Sequence, residues 1–156
     1  MVIRKALAAD ISAICQLRKR AILAQCSDFY SSEQLAIWTE GEVSEAIKQD
    51  IINAFYVAEL NQLVVGCGML TVDTTMIDAI FVDPDYFGQG IATQMLAFLE
   101  QQAKQQGLSQ LMLESTLNAA AFYRSCGFVG DKIATYQSPR GISLDCIAMQ
   151  KSLSHK

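Results

Sequence analysis

Histidine is nearly absent from this chain, with only His155 in the tail, and the five cysteines, Cys15, Cys26, Cys67, Cys126 and Cys146, form no C-x-x-C pair. That spacing argues against a structural zinc site and points to reduced thiols packed as small hydrophobes, so no metal is expected. Long apolar runs are missing too: nothing approaches the roughly 20 residues that a membrane-crossing helix needs. Residues 1–10 lack the charged head and small-residue cleavage site of a secretory signal, so the expectation is a cytoplasmic protein with no membrane partner. There is no basic cluster, and 12 lysines and arginines against 16 acids leave a net charge of -4. This disfavours a partner that is tracked through its phosphates, such as nucleic acid. Repeats and low-complexity tracts are also lacking.

Present instead are 51% hydrophobic and 18% charged residues in a chain of 156, enough to bury one real core. We expect a single domain over residues 1–152 with a short tail at 153–156. Residues 2–7 read as a strand, and residues 9–25 as a helix with Ile11, Ile14, Cys15, Leu17, Ala21 and Ile22 at helical spacing and Asp10 as its cap. Two further helices are expected over 33–39, ending near Gly41, and 42–52. A hairpin turning at Asn61 and Gln62 joins strands at 54–60 and 63–71, and another strand covers 75–82. After Gly90 a helix runs to about residue 106, with Gly107 as its stop. A strand at 110–114, a short helix at 118–125 and strands at 128–136 and 142–149 complete an α/β chain with a mixed α+β sheet.

The segment V-D-P-D-Y-F-G-Q-G-I-A-T, residues 82–93, sets Gly88 and Gly90 at a strand-to-helix turn. Glycine lets backbone turn tightly and approach a ligand, while the unpaired N–H groups and positive dipole end of the first helical turn favour an anion such as a diphosphate. Thr93 can add a hydroxyl donor. An ordinary glycine-rich turn is the plain alternative, and a dinucleotide-binding turn a second, with Glu114 in the place of its ribose acid.

Residues 77–128 resemble the GNAT superfamily of acyl-CoA-dependent N-acetyltransferases. I-F-V-D-P-D-Y-F-G-Q-G-I-A-T is similar to the motif whose amides take the CoA diphosphate, and N-A-A-A-F-Y-R-S-C-G-F is similar to the family's later asparagine, F-Y and G-F motif. The resemblance implies the GNAT-like fold, a central mostly antiparallel sheet with helices on both faces. It implies acetyl-CoA as donor, with Ile80, Phe81 and Val82 lending backbone groups to the pantetheine arm. Gly88, Gln89, Gly90, Ile91, Ala92 and Thr93 would cradle the diphosphate. Thr116 or Asn118 would make a further cofactor contact, because Asn118 lies five residues before Tyr123 where seven is commoner. Phe87 stands where the family usually has arginine or glutamine.

The implied reaction moves acetyl from acetyl-CoA to a primary amine of a small molecule or peptide. An amine of pKa about 10.4 is almost wholly protonated at neutral pH, so a base must act. Glu114 is the first candidate, by likeness to glutamates in some family members, and Asp78, in an apolar strand, the second. Tyr123 would be the general acid that protonates the departing thiolate. Tyr30, Glu33 and Trp38 are candidates to line an acceptor pocket, with Trp38 equally suited to the core. A catalytically silent CoA-binding module is the alternative function, and a homodimer is compatible with either.

Overall fold

The computed structural model describes residues 1–40, 44–137 and 142–153. Gly41 and residues 42–43, expected to end the second helix and begin the third, lie outside the described residues, as do residues 154–156 with His155. The elements are β1 (Val2–Lys5), α1 (Ile11–Cys26), α2 (Ser32–Thr39), α3 (Glu45–Ala54), β2 (Phe55–Leu60), β3 (Leu63–Thr71), β4 (Met76–Val82), α4 (Ile91–Gln105), β5 (Gln110–Ser115), α5 (Ala120–Ser125), β6 (Ile133–Gln137) and β7 (Ser143–Ser152). One seven-stranded sheet has the order β1-β2-β3-β4-β5-β7-β6. Every pairing is antiparallel except β4 with β5.

Local chemistry sets the boundaries. Ser31 and Gln34 cap α2 reciprocally: the Gln34 N–H donates to Ser31 Oγ at 3.1 Å and the Ser31 N–H to Gln34 Oε1 at 3.0 Å. Asn61 and Gln62 both take left-handed φ, 51° and 67°, which matches the twist of a two-residue hairpin. At the end of α4 the Leu108 N–H reaches Ala103 O and the Gly107 N–H reaches Lys104 O, both at 3.0 Å, with Gly107 at φ 80°. That is the glycine-terminated helix end expected there.

Four expectations are corrected. Asp10 does not cap α1; its carboxylate accepts from the Leu7 N–H at 2.8 Å and from both terminal nitrogens of Arg4 at 2.8 and 3.0 Å. That turn ends β1 at Lys5 rather than at residue 7. The strand expected from 128 starts at Ile133, because Gly130, at φ 145°, approaches β7 so closely that a Cβ there would lie 2.2 Å from Ala148 O. The helix expected from 118 starts at Ala120, because Ala119 N–H closes a turn on Thr116 O at 3.1 Å.

Helices cover both faces. Ile91, Met95, Leu96, Leu99 and Ala103 of α4 pack with Ala58, Leu70, Ile77, Leu111 and Leu113. On the other face Ile14 and Leu17 of α1 and Ile51 of α3 pack with Val57 and Cys67. Gly68 lets α4 lie close, since a Cβ there would meet Met95 Cγ at 2.9 Å and Leu99 Cδ1 at 3.0 Å. A third cluster joins Ile22, Cys26, Tyr30, Leu35 and Trp38 to Leu144 of β7. No helix among the described residues is long and apolar enough to cross a membrane.

Candidate active site

The sheet forks between β4 and β5. β4 pairs with β3 along its whole length, but on its other edge only Met76 and Ile77 pair with β5, opposite Met112 and Leu113. Among the described residues the β5-facing edge from Asp78 to Val82 therefore has no strand partner, and from Asp78 to Phe81 it borders a cleft. Strand groups without a ladder partner must find water or a ligand. Asp78 is also a bulge: Ile77 pairs with Leu70 and Ala79 with Met69, so Asp78 is the extra residue. The bulge resets the alternation. Ile77, Ile80 and Val82 then face the α4 side, and Ala79 and Phe81 the α1 side.

The cleft measures about 690 Å³ and gathers the three expected catalytic residues, Asp78, Glu114 and Tyr123, together with Ile80, Phe81 and Thr116. Asp78 and Glu114 are the first residues past the last pairs of the fork, one on each strand. Both are exposed. Asp78 accepts a short hydrogen bond from the Thr71 hydroxyl, and Glu114 Oε2 accepts from the Cys146 thiol at 3.5 Å. Burial and the neighbouring Glu114 carboxylate push the Cys146 thiol up to about 11, so it stays protonated. Tyr123, on α5, packs edge-on against Phe122 and Phe128 at 5.2 and 5.9 Å. Burial drives its phenol well above the usual tyrosine range, leaving it a proton donor at neutral pH. Lys151 of β7 fixes that helix by donating to Cys126 O at 2.8 Å while pairing with Glu100 of α4 at 2.9 Å.

Val82, Asn118 and the glycine turn stand outside the cleft wall. Asn118 Oδ1 instead accepts from the Cys26 thiol at 3.4 Å, so of the two alternatives it is Thr116 that reaches the cleft. Gly88 and Gly90 have φ of 78° and 77°, and a Cβ on either would meet nothing within 4 Å. No side chain caps α4, whose first intrahelical bond runs from Gln94 N–H to Gly90 O. The N–H groups of Ile91, Ala92 and Thr93 therefore point out of the helix end. The turn is held from α1, where Arg20 pairs with Asp83 at 2.7 Å and Asp85 at 3.2 Å.

The opposite wall comes from α1, α2 and β6. Tyr30 and Trp38 border the cleft but belong to the core, stacked edge-on at 5.7 Å. The Tyr30 hydroxyl donates to Asp145 O at 2.6 Å and accepts from the Leu117 N–H at 3.2 Å, bracing β7 against the loop that carries Thr116. Glu33 is exposed and does not line the cleft. Arg18 of α1 and Tyr136 of β6 are among the cleft residues that the sequence reading missed. Arg18 had a signal: it interrupts the stripe Ile11, Cys15, Ile22 at helical spacing, where a charge is unexpected. Among the described residues no group of three or more His, Cys, Asp and Glu is placed to hold a metal ion.

Residues 52–130, just over half the chain, match the acetyltransferase (GNAT) domain. An uncharacterized N-acetyltransferase of Escherichia coli K12, YafP, is 28% identical over 119 residues, 76% of this chain and 75% of its own length. A GCN5-related N-acetyltransferase from Rhodopseudomonas palustris has a similar structure, with a TM-score of 0.89 at 28% identity over 97% of this chain and 95% of that one. The PaiA N-acetyltransferase of Thermoplasma acidophilum, solved with coenzyme A, has a TM-score of 0.77 at 17% identity, covering 97% and 98% of the two chains; this is a likeness of fold.

Proposed function

The chain belongs to the GNAT acetyltransferase family and is an acyltransferase, and from that premise we propose that it moves the acetyl group of acetyl-CoA directly to a primary amine of a small molecule or peptide. The observation that carries the reading is the fork: an unpaired β4 edge that opens beside two carboxylates and a protonated phenol, and leads along the same strand to an uncapped helix start. These features fit acetyl-CoA, whose amide-bearing arm needs strand-like partners and whose diphosphate needs N–H donors. When bound, that donor supplies an acetyl group activated as a thioester.

The protein's own residues do the rest. Ile80, Phe81 and Val82 offer main-chain groups to the arm, and Gly88, Gln89, Gly90, Ile91, Ala92 and Thr93 hold the diphosphate, with Thr116 a further contact from β5's end. Glu114 takes the proton from the ammonium, directly or through a water, and Asp78 across the fork is the second carboxylate able to do so. Tyr123 delivers a proton to the sulfur that leaves. Its raised pKa suits the task only because the same dry surroundings raise that of the thiol, keeping the two matched.

Thermal-shift measurements with acetyl-CoA, CoA and NAD, followed by thiol-release assays across an amine panel, test the reading. Stabilisation by acetyl-CoA and CoA and not by NAD, with thiol released only when an amine is present, is the expected result. Binding without transfer to any amine would instead make the chain a silent CoA-binding module, and preference for NAD would remove the donor assignment.

A further inference from the structure

Of the two carboxylates at the fork, Glu114 has the longer stem and the more freedom to swing, and a base must stay within hydrogen-bond reach of the proton it takes. The strand register supplies what holds it. Glu114 pairs with Ala148 of β7, and Cys146 lies two residues along β7, so it shares the sheet face of Glu114 as a diagonal neighbour. Both residues line the cleft, while Leu113 and Met149 turn to the α4-side core. The Cys146 thiol donates to Glu114 Oε2 at 3.5 Å, and among the described residues no other protein group donates to that carboxylate.

The donor is firmly placed. Cys146 is 3% exposed, and its strand runs between β5 and β6, where Ala134 is its partner. The sheet therefore sets its position, and its stem is short. Burial, with Glu114 beside it, keeps the thiol protonated, so the donor is always loaded. A thiol is also a weak donor. It can steer a carboxylate without stabilising the negative charge as strongly as a guanidinium or several backbone N–H groups would. With Oε2 tethered, Oε1 is the oxygen left to meet an ammonium in the cleft.

Building on the N-acetyltransferase reading with Glu114 as base, we propose that Cys146 is a positioning residue for that base: its thiol tethers Oε2 and so turns Oε1 toward the acceptor's ammonium. The thiol itself takes no part in making or breaking bonds.

The test is the kinetics of Cys146→Ala, Cys146→Ser, Glu114→Gln and the double variant Cys146→Ala with Glu114→Gln, using an amine that the wild type acetylates. Glu114→Gln should lower kcat at least about tenfold, since a positioned base contributes roughly 10²- to 10⁴-fold. Cys146→Ala should lower kcat about three- to tenfold, the scale of one ordinary hydrogen bond, and leave the KM for acetyl-CoA within about twofold. Cys146→Ser, which keeps a donor, should restore most of the lost kcat, and in the Glu114→Gln background Cys146→Ala should cost nothing further. Cys146→Val, closer to cysteine in size and without a donor, repeats the alanine test should the smaller side chain unfold the protein. Equal losses in the serine and alanine variants, or a Cys146→Ala loss that persists in full without Glu114, would mark a packing role and overturn the proposal. Wild-type kcat in Cys146→Ala or Cys146→Val beside an impaired Glu114→Gln would overturn it while sparing the base. Undiminished turnover by Glu114→Gln would remove the base and the proposal together but leave acetyl transfer standing, whereas failure of the wild type to bind acetyl-CoA would remove all three.

Discussion

Gly90 and Gly107 flank α4 and form a matched pair of positions. Their φ values are 77° and 80°, and a Cβ built on either meets nothing within 4 Å. Alanine at either site is therefore free of clashes and bears only the penalty of left-handed backbone, roughly 1–2 kcal/mol. In a chain of this size each kcal/mol lowers Tm by about 2–4 °C, so Gly90→Ala and Gly107→Ala should both melt some 2–8 °C below wild type. Their ligand binding should differ. At Gly90 the open space is where a diphosphate would approach, and a methyl group that displaces one charged hydrogen bond removes about 1.5–3 kcal/mol, or roughly 10- to 150-fold in Kd. At Gly107, past the far end of the helix, the Kd for acetyl-CoA should stay within twofold. Calorimetric titration of the two variants beside wild type reads this directly. Equal affinities in both variants, whatever their melting points, would refute the assignment of the helix start to the diphosphate.

Tyr123→Phe should fold and bind acetyl-CoA as wild type does, yet lose at least tenfold in kcat, and unchanged turnover with the true acceptor would remove the phenol from the mechanism. Gly68→Val should destabilise the fold by about 1–3 kcal/mol in urea unfolding, because its side chain enters the space held by Met95 and Leu99. The Arg4 guanidinium holds the Asp10 carboxylate below its usual range, an effect greater than the opposing burial. The stability this adds is complete above the unfolded-state pKa of about 3.9 and is lost as pH falls through the lower folded-state value. Melting curves of Asp10→Asn and wild type should therefore differ at neutral pH and converge in acid.

Signals confined to neighbouring residues were legible in the sequence. Asn61–Gln62 and Gly107 after α4 act within one turn of chain, and each performs the predicted role. The two glycines before Ile91 marked the helix start for the same reason. Pairings remote in sequence were not legible. Asp10 looked like a cap because nothing local shows that Arg4 curls back to it. Nothing in M-I-D-A-I announces the bulge at Asp78, which depends on register against Met69 and Leu70. The fork likewise depends on how far β4 and β5 run together, and Tyr30's two hydrogen bonds join segments some 90 and 115 positions away. Arg18 interrupts an apolar stripe, but that it borders the cleft beside Phe81 and Trp38 follows only from how α1 lies across β4.

Among the described residues two ladder pairs stitch the first four strands to the last three, with the α4-side core as the cement behind the seam. A guest lying along the exposed edge would serve as a splint, turning a cracked sheet into a continuous one. Its binding free energy would then be stored as resistance to unfolding, about 2.7 kcal/mol at a hundredfold excess over Kd. A protein built this way is sturdiest when well supplied with its donor, so its lifetime in a cell would follow the abundance of the molecule it spends.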